Sequence, residues 1–252
     1  MLLLSKVFQG VFMKDQVIGI VGYGLYIPET KMTADDVARE TNGQWTGEAV
    51  RSKLGFNKKA IPGPDDGTQE MGVKAGLDAL KRTNIDPMEI DLILCMGEEW
   101  KEYPLTTSGI YIQEHIGAKR AWSIDVQQRC NSTVACLKIA KDMMIADDEI
   151  NTVMIVGGYR NGDYIDYSDP AVSFMYNLAA GASAIILKKG YEKNLVLASH
   201  IVTDGSLARD AGVEYCGIKN PIQKLDENIY EDIRKRGNKS LRVLQPEHMK
   251  KR

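Results

Sequence analysis

The order of hydrophobic segments predicts an α/β fold. Three observations carry that prediction. Strand-like and helix-like stretches alternate from Val17 to about Val202, the pattern of strands joined by crossover helices. Asp91-Leu92-Ile93-Leu94-Cys95-Met96 and Thr152 to Val156 are apolar without alternation, so these strands are covered on both faces and belong to a parallel sheet. Asn131 to Ala146 carries only Lys138, Lys141 and Asp142 as charged residues, which predicts a largely buried helix.

The elements follow in chain order. Val17 to Tyr23 reads as a strand, and Thr33 is placed to cap a short helix opening at Ala34. Trp45 to Leu54 reads as a second short helix, with Gly55 just past its end. Pro62-Gly63-Pro64-Asp65-Asp66-Gly67 is a loop. Thr68 is placed to cap a helix to about Arg82, whose Lys74, Asp78, Lys81 and Arg82 recur at helical spacing and mark its wet face. Beyond the strand at 91–96 come a helix from Thr107 to Ile116 and a strand from Ala121 to Val126. The helix from Asn131 and the strand from Thr152 follow, and Ala182 to Leu187 and Leu195 to Val202 are the last two strands. After Gly217 the chain turns charged, with Arg234-Lys235-Arg236, and reads as a solvated segment rather than a binding patch.

Composition bounds what such a fold does. The 252 residues carry 32 Lys plus Arg against 34 Asp plus Glu, a net charge of -2, so no electrostatic case exists for nucleic acid or an anionic membrane as partner. Apolar residues at 44% and charged residues at 26% fit a globular chain with a sizeable core, and no apolar run approaches the length of a membrane span. Cys95, Cys130, Cys136 and Cys216 form no Cys-x-x-Cys, and His115, His200 and His248 show no ligand spacing, so no metal site is expected. Free thiols suit a reducing cytoplasm. Met1 to Phe12 makes a poor signal peptide, because Lys6 breaks its apolar run and no small-residue cleavage site follows. It reads as a non-native or disordered extension, with Met13 as the natural start.

Two local patterns invite chemistry. Gly19-x-x-Gly22-x-Gly24 follows a strand, but Tyr26-Ile27-Pro28 stands where a dinucleotide-binding turn needs a helix, so a plain strand-end turn is the reading. Cys130 lies between the strand ending at Val126 and the helix starting near Asn131. The positive end of a helix dipole and its free N–H groups favour an anionic sulfur there, and Arg129 adds an adjacent cation. The same N–H groups suit the oxyanion formed when a thiolate attacks an acyl carbonyl. From spacing alone, a buried structural cysteine is the simpler account.

The surrounding residues change that balance. Asp125-Val126-Gln127-Gln128-Arg129-Cys130-Asn131-Ser132 resembles the nucleophile segment of the thiolase superfamily, and most of all that of β-ketoacyl-acyl-carrier-protein synthase III and its relatives. Gly22-Tyr23-Gly24-Leu25-Tyr26-Ile27-Pro28, Lys53-Leu54-Gly55-Phe56 and Ile90-Asp91-Leu92-Ile93-Leu94 resemble earlier stretches of the same family. Tyr103-Pro104-Leu105-Thr106-Thr107, Ile116-Gly117-Ala118, Asn177 to Ala184 and His200-x-x-Thr203-Asp204-Gly205-Ser206 continue the series in the family's order.

The resemblance implies a thiolase-like fold, a mixed sheet covered by helices. It divides the chain into the extension at 1–12, a thiolase-like N-terminal domain at 13–217 and the start of a second half at 218–252. It makes Cys130 the nucleophile that takes an acyl group from acyl-CoA, which is then condensed with malonyl-acyl-carrier-protein in the full-length protein. No permanently bound cofactor is expected, and acyl-CoA and acyl carrier protein are the expected partners. The family's catalytic His and Asn lie in its second half and match no residue here, so the chain reads as a fragment of a longer protein. Glu98 and Glu99 stand where 3-hydroxy-3-methylglutaryl-CoA synthase, a relative, carries a general base, and a solvated loop pair is the alternative. Trp45 resembles a residue that stacks on the CoA adenine. Arg160 is a candidate for a CoA phosphate, although a loop arginine ordinarily meets water. A homodimer is implied, through about Val153 to Gly157. A catalytically silent subunit that binds a partner is the non-enzymatic alternative.

Overall fold

The computed structural model describes residues 17–97, 101–215, 217–236, 239 and 241–249. They form two compact units that interleave along the sequence, the first built from 17–27, 65–159 and 181–201, the second from 28–64, 160–180 and 202 onward. The expectations for residues 1–12, Glu98, Glu99 and Cys216 lie outside the described residues.

The first unit is a five-stranded mixed sheet. Its strands are β1 (Ile18–Tyr26), β4 (Leu92–Met96), β5 (Trp122–Val126), β6 (Thr152–Tyr159) and β7 (Gly181–Lys189), in the order β1-β7-β6-β4-β5. β4 runs parallel to β5 and β6, in register Leu92 with Trp122 and Leu92 with Val153, while β7 runs antiparallel to β6 and β1. Helix α3 (Thr68–Thr83) packs on β1, β6 and β7, with α4 (Ser108–His115) beside it, and α5 (Ser132–Ala146) packs on β4 and β6. Cys136, Ala140 and Met144 of α5 meet Leu92, Leu94, Met96, Val153 and Ile155 in one core. The alternate residues Ile93, Cys95, Met154 and Val156 are equally buried on the other face. Cover on both sides is why these strands are apolar throughout.

Several expectations are corrected. α5 is half exposed, with Val134 at 43% and Ile145 at 40%, because it covers one sheet face and turns its outer side to solvent. Thr68 is the first residue inside α3, after Gly67. Its hydroxyl donates to Glu102, and Glu102 accepts the Gln69 N–H at 3.2 Å, so a distant carboxylate serves as the cap. Leu195 to Val202 is no strand. Leu195 makes one antiparallel bridge to Gly19 of β1, and beyond it the carbonyls of Val196 and Leu197 accept from Lys141 Nζ at 2.8 and 2.7 Å. The strand holding Val153 to Gly157 is paired on both sides, so it has no free edge to offer a second copy; β5 holds the sheet edge next to β4.

The second unit pairs β2 (Lys31–Thr33) with β3 (Lys58–Ala60). Thr33 caps α1 (Ala34–Glu40) in a capping box with Asp36. The short helix α2 (Gly47–Ala49) runs on into a wider turn at Val50–Leu54, ended by Gly55 at φ 76°. Ala34, Val37, Val50, Ile165, Tyr167, Val172 and Tyr176 make its core. The charged segment after Gly217 is more ordered than its composition suggests. It contributes α6 (Glu227–Arg236), which Asp226 caps through the Ile229 N–H, and β9 (Leu241–Val243), paired with β8 (Ala211–Val213).

Candidate active site

Parallel strands bring their C-terminal ends to one edge of a sheet, where chemistry collects in α/β folds. β4 and β5 do so here, and the Gly97 N–H donates to the Val126 carbonyl just beyond both. After β5 the chain makes a tight turn at Arg129–Asn131 and enters α5 at Ser132, so Cys130 sits two residues ahead of the helix. Asn131 supplies no side-chain cap, and the Ser132 N–H donates to the Arg129 carbonyl. Thr133 on the first turn of α5 donates to Met96 Sδ at 2.9 Å, seating the helix start on the end of β4.

The three described cysteines differ in the way a nucleophile requires. Cys130 is exposed, whereas Cys95 and Cys136 are buried. Burial pushes the Cys136 thiol up to about 12, and burial followed by the Asp125 charge pushes Cys95 up as well.

Two supports around Cys130 carry no obvious sequence signal. Asp125 accepts Lys101 Nζ at 2.5 Å and the N–H groups of Ser108 and Gly109 at 3.0 and 2.8 Å, joining the end of β5 to the start of α4. Lys101 Nζ also donates to the Thr106 carbonyl at 2.7 Å. Ser132, fully buried, accepts the Gln128 N–H at 2.9 Å and donates to the Arg129 carbonyl at 2.8 Å. Only the position of Asp125 five residues before the cysteine, and of Ser132 two after it, hints at either role.

The other candidates lie in the second unit. Trp45 is half-buried, edge-on to Tyr176 with centroids 5.9 Å apart, and Lys53 Nζ lies 5.5 Å from its ring. Arg160 donates through Nε to Asp163 at 2.9 Å. Among the described residues, no group of three or more His, Cys, Asp or Glu is placed to hold a metal ion.

The family model for 3-oxoacyl-[acyl-carrier-protein (ACP)] synthase III matches residues 124–205, which run from within β5 through the cysteine turn, α5 and β6 to beyond β7. The β-ketoacyl-[acyl-carrier-protein] synthase III of Aquifex aeolicus is 25% identical over 232 residues, 87% of this chain and 72% of that protein. This is a thiolase-like, synthase III-like chain. The synthase III of Clostridium acetobutylicum is 30% identical over 183 residues, 72% of this chain. The crystal structure of 3-oxoacyl-(acyl carrier protein) synthase III from Pseudomonas aeruginosa superimposes with a TM-score of 0.70 at 18% identity, over 90% of this synthase III-like chain. The chain spans 54% of the Clostridium protein's length and 64% of the Pseudomonas chain.

Proposed function

We propose that this chain carries the acyl-accepting site of a 3-oxoacyl-acyl-carrier-protein synthase III-like condensing enzyme, with Cys130 as nucleophile. One observation carries the reading: the exposed thiol lies where a parallel strand ends and an uncapped helix begins, while Cys95 and Cys136 are buried. As a thiolate, the Cys130 sulfur attacks the carbonyl carbon of acyl-CoA and forms a new S–C bond. Charge builds on the carbonyl oxygen, and the helix-start N–H groups stabilise it. When the carbonyl re-forms, the bond to CoA sulfur breaks and CoA leaves as a thiolate, which takes up the proton that Cys130 gave to solvent. Trp45 for the adenine and Arg160 for a phosphate are the proposed CoA contacts.

For the whole protein we propose that condensation follows. Malonyl-acyl-carrier-protein loses carbon dioxide, and the resulting carbanion attacks the Cys130 thioester; the C–S bond breaks, releasing the 3-oxoacyl-acyl-carrier-protein and the Cys130 thiolate. Fatty acid biosynthesis in the cytoplasm is the matching setting. The proposed homodimer uses β5. The outer edge of β1 is already engaged by the Asn194 carbonyl and the Val196 N–H, while β5 exposes Trp122 and Ile124.

Intact-mass measurement after incubation with acetyl-CoA tests the reading. The expected result is one acetyl adduct, absent in Cys130→Ala. An unmodified wild-type chain, or an adduct that survives the substitution, refutes it.

A further inference from the structure

Asn131 holds the N-cap position of α5, and Ser132 follows it as the first residue inside the helix. The Ser132 hydroxyl bonds backward across Cys130, accepting from the Gln128 N–H and donating to the Arg129 carbonyl. Between those two atoms lies the N–Cα bond of Arg129, which is held at φ 52°, in the left-handed region that side chains disfavour. The Gln128 nitrogen is upstream of that bond and the Arg129 oxygen downstream, so a single oxygen bonded to both restricts rotation about it. Backbone in a sparsely populated region persists only where its surroundings over-determine it. Ser132 supplies that constraint from a fully buried site: its hydroxyl joins the Gln128 N–H to the Arg129 carbonyl, to which its own N–H also donates.

We infer that Ser132 is a positioning residue for Cys130, its hydroxyl locking the left-handed turn that presents the thiol at the start of α5. The inference rests on the acyl-transfer reading for its purpose, but its geometry is independent of any substrate.

The test measures two rates at Cys130 by peptide mass mapping of the 252-residue chain. One is acetylation by acetyl-CoA, the other alkylation by the small neutral reagent iodoacetamide. Ser132→Ala is expected to slow both by about five- to tenfold, the equivalent of roughly one lost hydrogen bond. Ser132→Thr, which keeps the hydroxyl, is expected to recover at least about half of the rate. The deciding comparison is made in an Arg129→Gly background. Glycine adopts a positive φ unaided, so removing the serine hydroxyl there is expected to cost less than about twofold. Ser132→Gly is run beside Ser132→Ala in both backgrounds, so that one unfolded variant does not decide the outcome. An equal loss in both backgrounds, or no loss in either, overturns the positioning role. Wild-type protein that is alkylated but never acetylated refutes acyl transfer alone, and the alkylation rates still decide Ser132.

Discussion

Lys59 on β3 is 6% exposed and gives its charged amine to three oxygens: the Tyr167 hydroxyl at 2.5 Å and the carbonyls of Tyr176 and Leu178 at 2.6 and 2.7 Å. Burial lowers its pKa from the ordinary 10.5 to about 8. An ammonium donates to all three oxygens. A neutral amine donates to the two carbonyls and accepts from the tyrosine hydroxyl, so the same heavy atoms serve both forms. The folded chain therefore holds fewer protons than the unfolded chain between about pH 8 and 10.5, and the contribution of Lys59 to stability rises across that window. Urea unfolding of wild type and Lys59→Met at pH 7 and pH 9.5 is expected to show the wild type gaining on the variant by on the order of 1–2 kcal/mol. A pH-independent difference would contradict this. The cysteines make a second expectation at this scale. At pH 8 iodoacetamide should label Cys130 in the native protein and spare Cys136, whose thiol burial holds near 12, and Cys95. Native-state labelling of Cys95 or Cys136 at a rate like that of Cys130 would show that the assigned burial is wrong.

Among the elements, α3 and α5 show how much a helix depends on what lies beneath it. α3 lies flush on the sheet because two strand positions lack a side chain. A Cβ on Gly24 of β1 would stand 2.2 Å from the Ala75 carbonyl oxygen, and one on Gly158 of β6 would stand 2.3 Å from that of Thr68. Gly24→Ala and Gly158→Ala are each expected to cost about 1–3 kcal/mol, read as a lowered thermal midpoint. Unchanged midpoints would mean the helix does not sit that close. Gly22 and Gly24 thus lie inside β1 against the helix, where the sequence suggests a strand-end turn. On α5 the burial is one-sided. Met144→Ala is expected to cost about 2–5 kcal/mol and Ile145→Ala within about 0.5 kcal/mol, because only Met144 lies in the core between helix and sheet.

For the molecule as a whole, sheet order decides where a second copy can join. The Trp122 N–H points inward to the Asp91 carbonyl, so by the alternation along a strand the outward donors of β5 belong to Ser123 and Asp125. Proline is tolerated on an edge strand where its nitrogen faces solvent. Ser123→Pro is therefore expected to leave the chain folded but to convert a dimer into a monomer in sedimentation equilibrium. A dimer that persists in the variant would move the interface elsewhere.

Periodicity and composition alone determined the alternation of strands and helices, the double cover of β4 and β6, and the loop between β5 and α5 that holds Cys130. These are local consequences of which side chains repel water and which residues end a helix, so they are written in consecutive residues. Neighbour relations were decided only by the tertiary structure: that β6 is interior and β5 the edge, that Glu102 caps α3, that Lys141 takes the carbonyls of a would-be strand, and that Ser132 bonds back across the cysteine. The hydrogen bonds among them join groups 3 to 56 residues apart. A buried hydrogen-bonding group takes whichever partner the folded chain brings within reach, and linear order does not specify that partner.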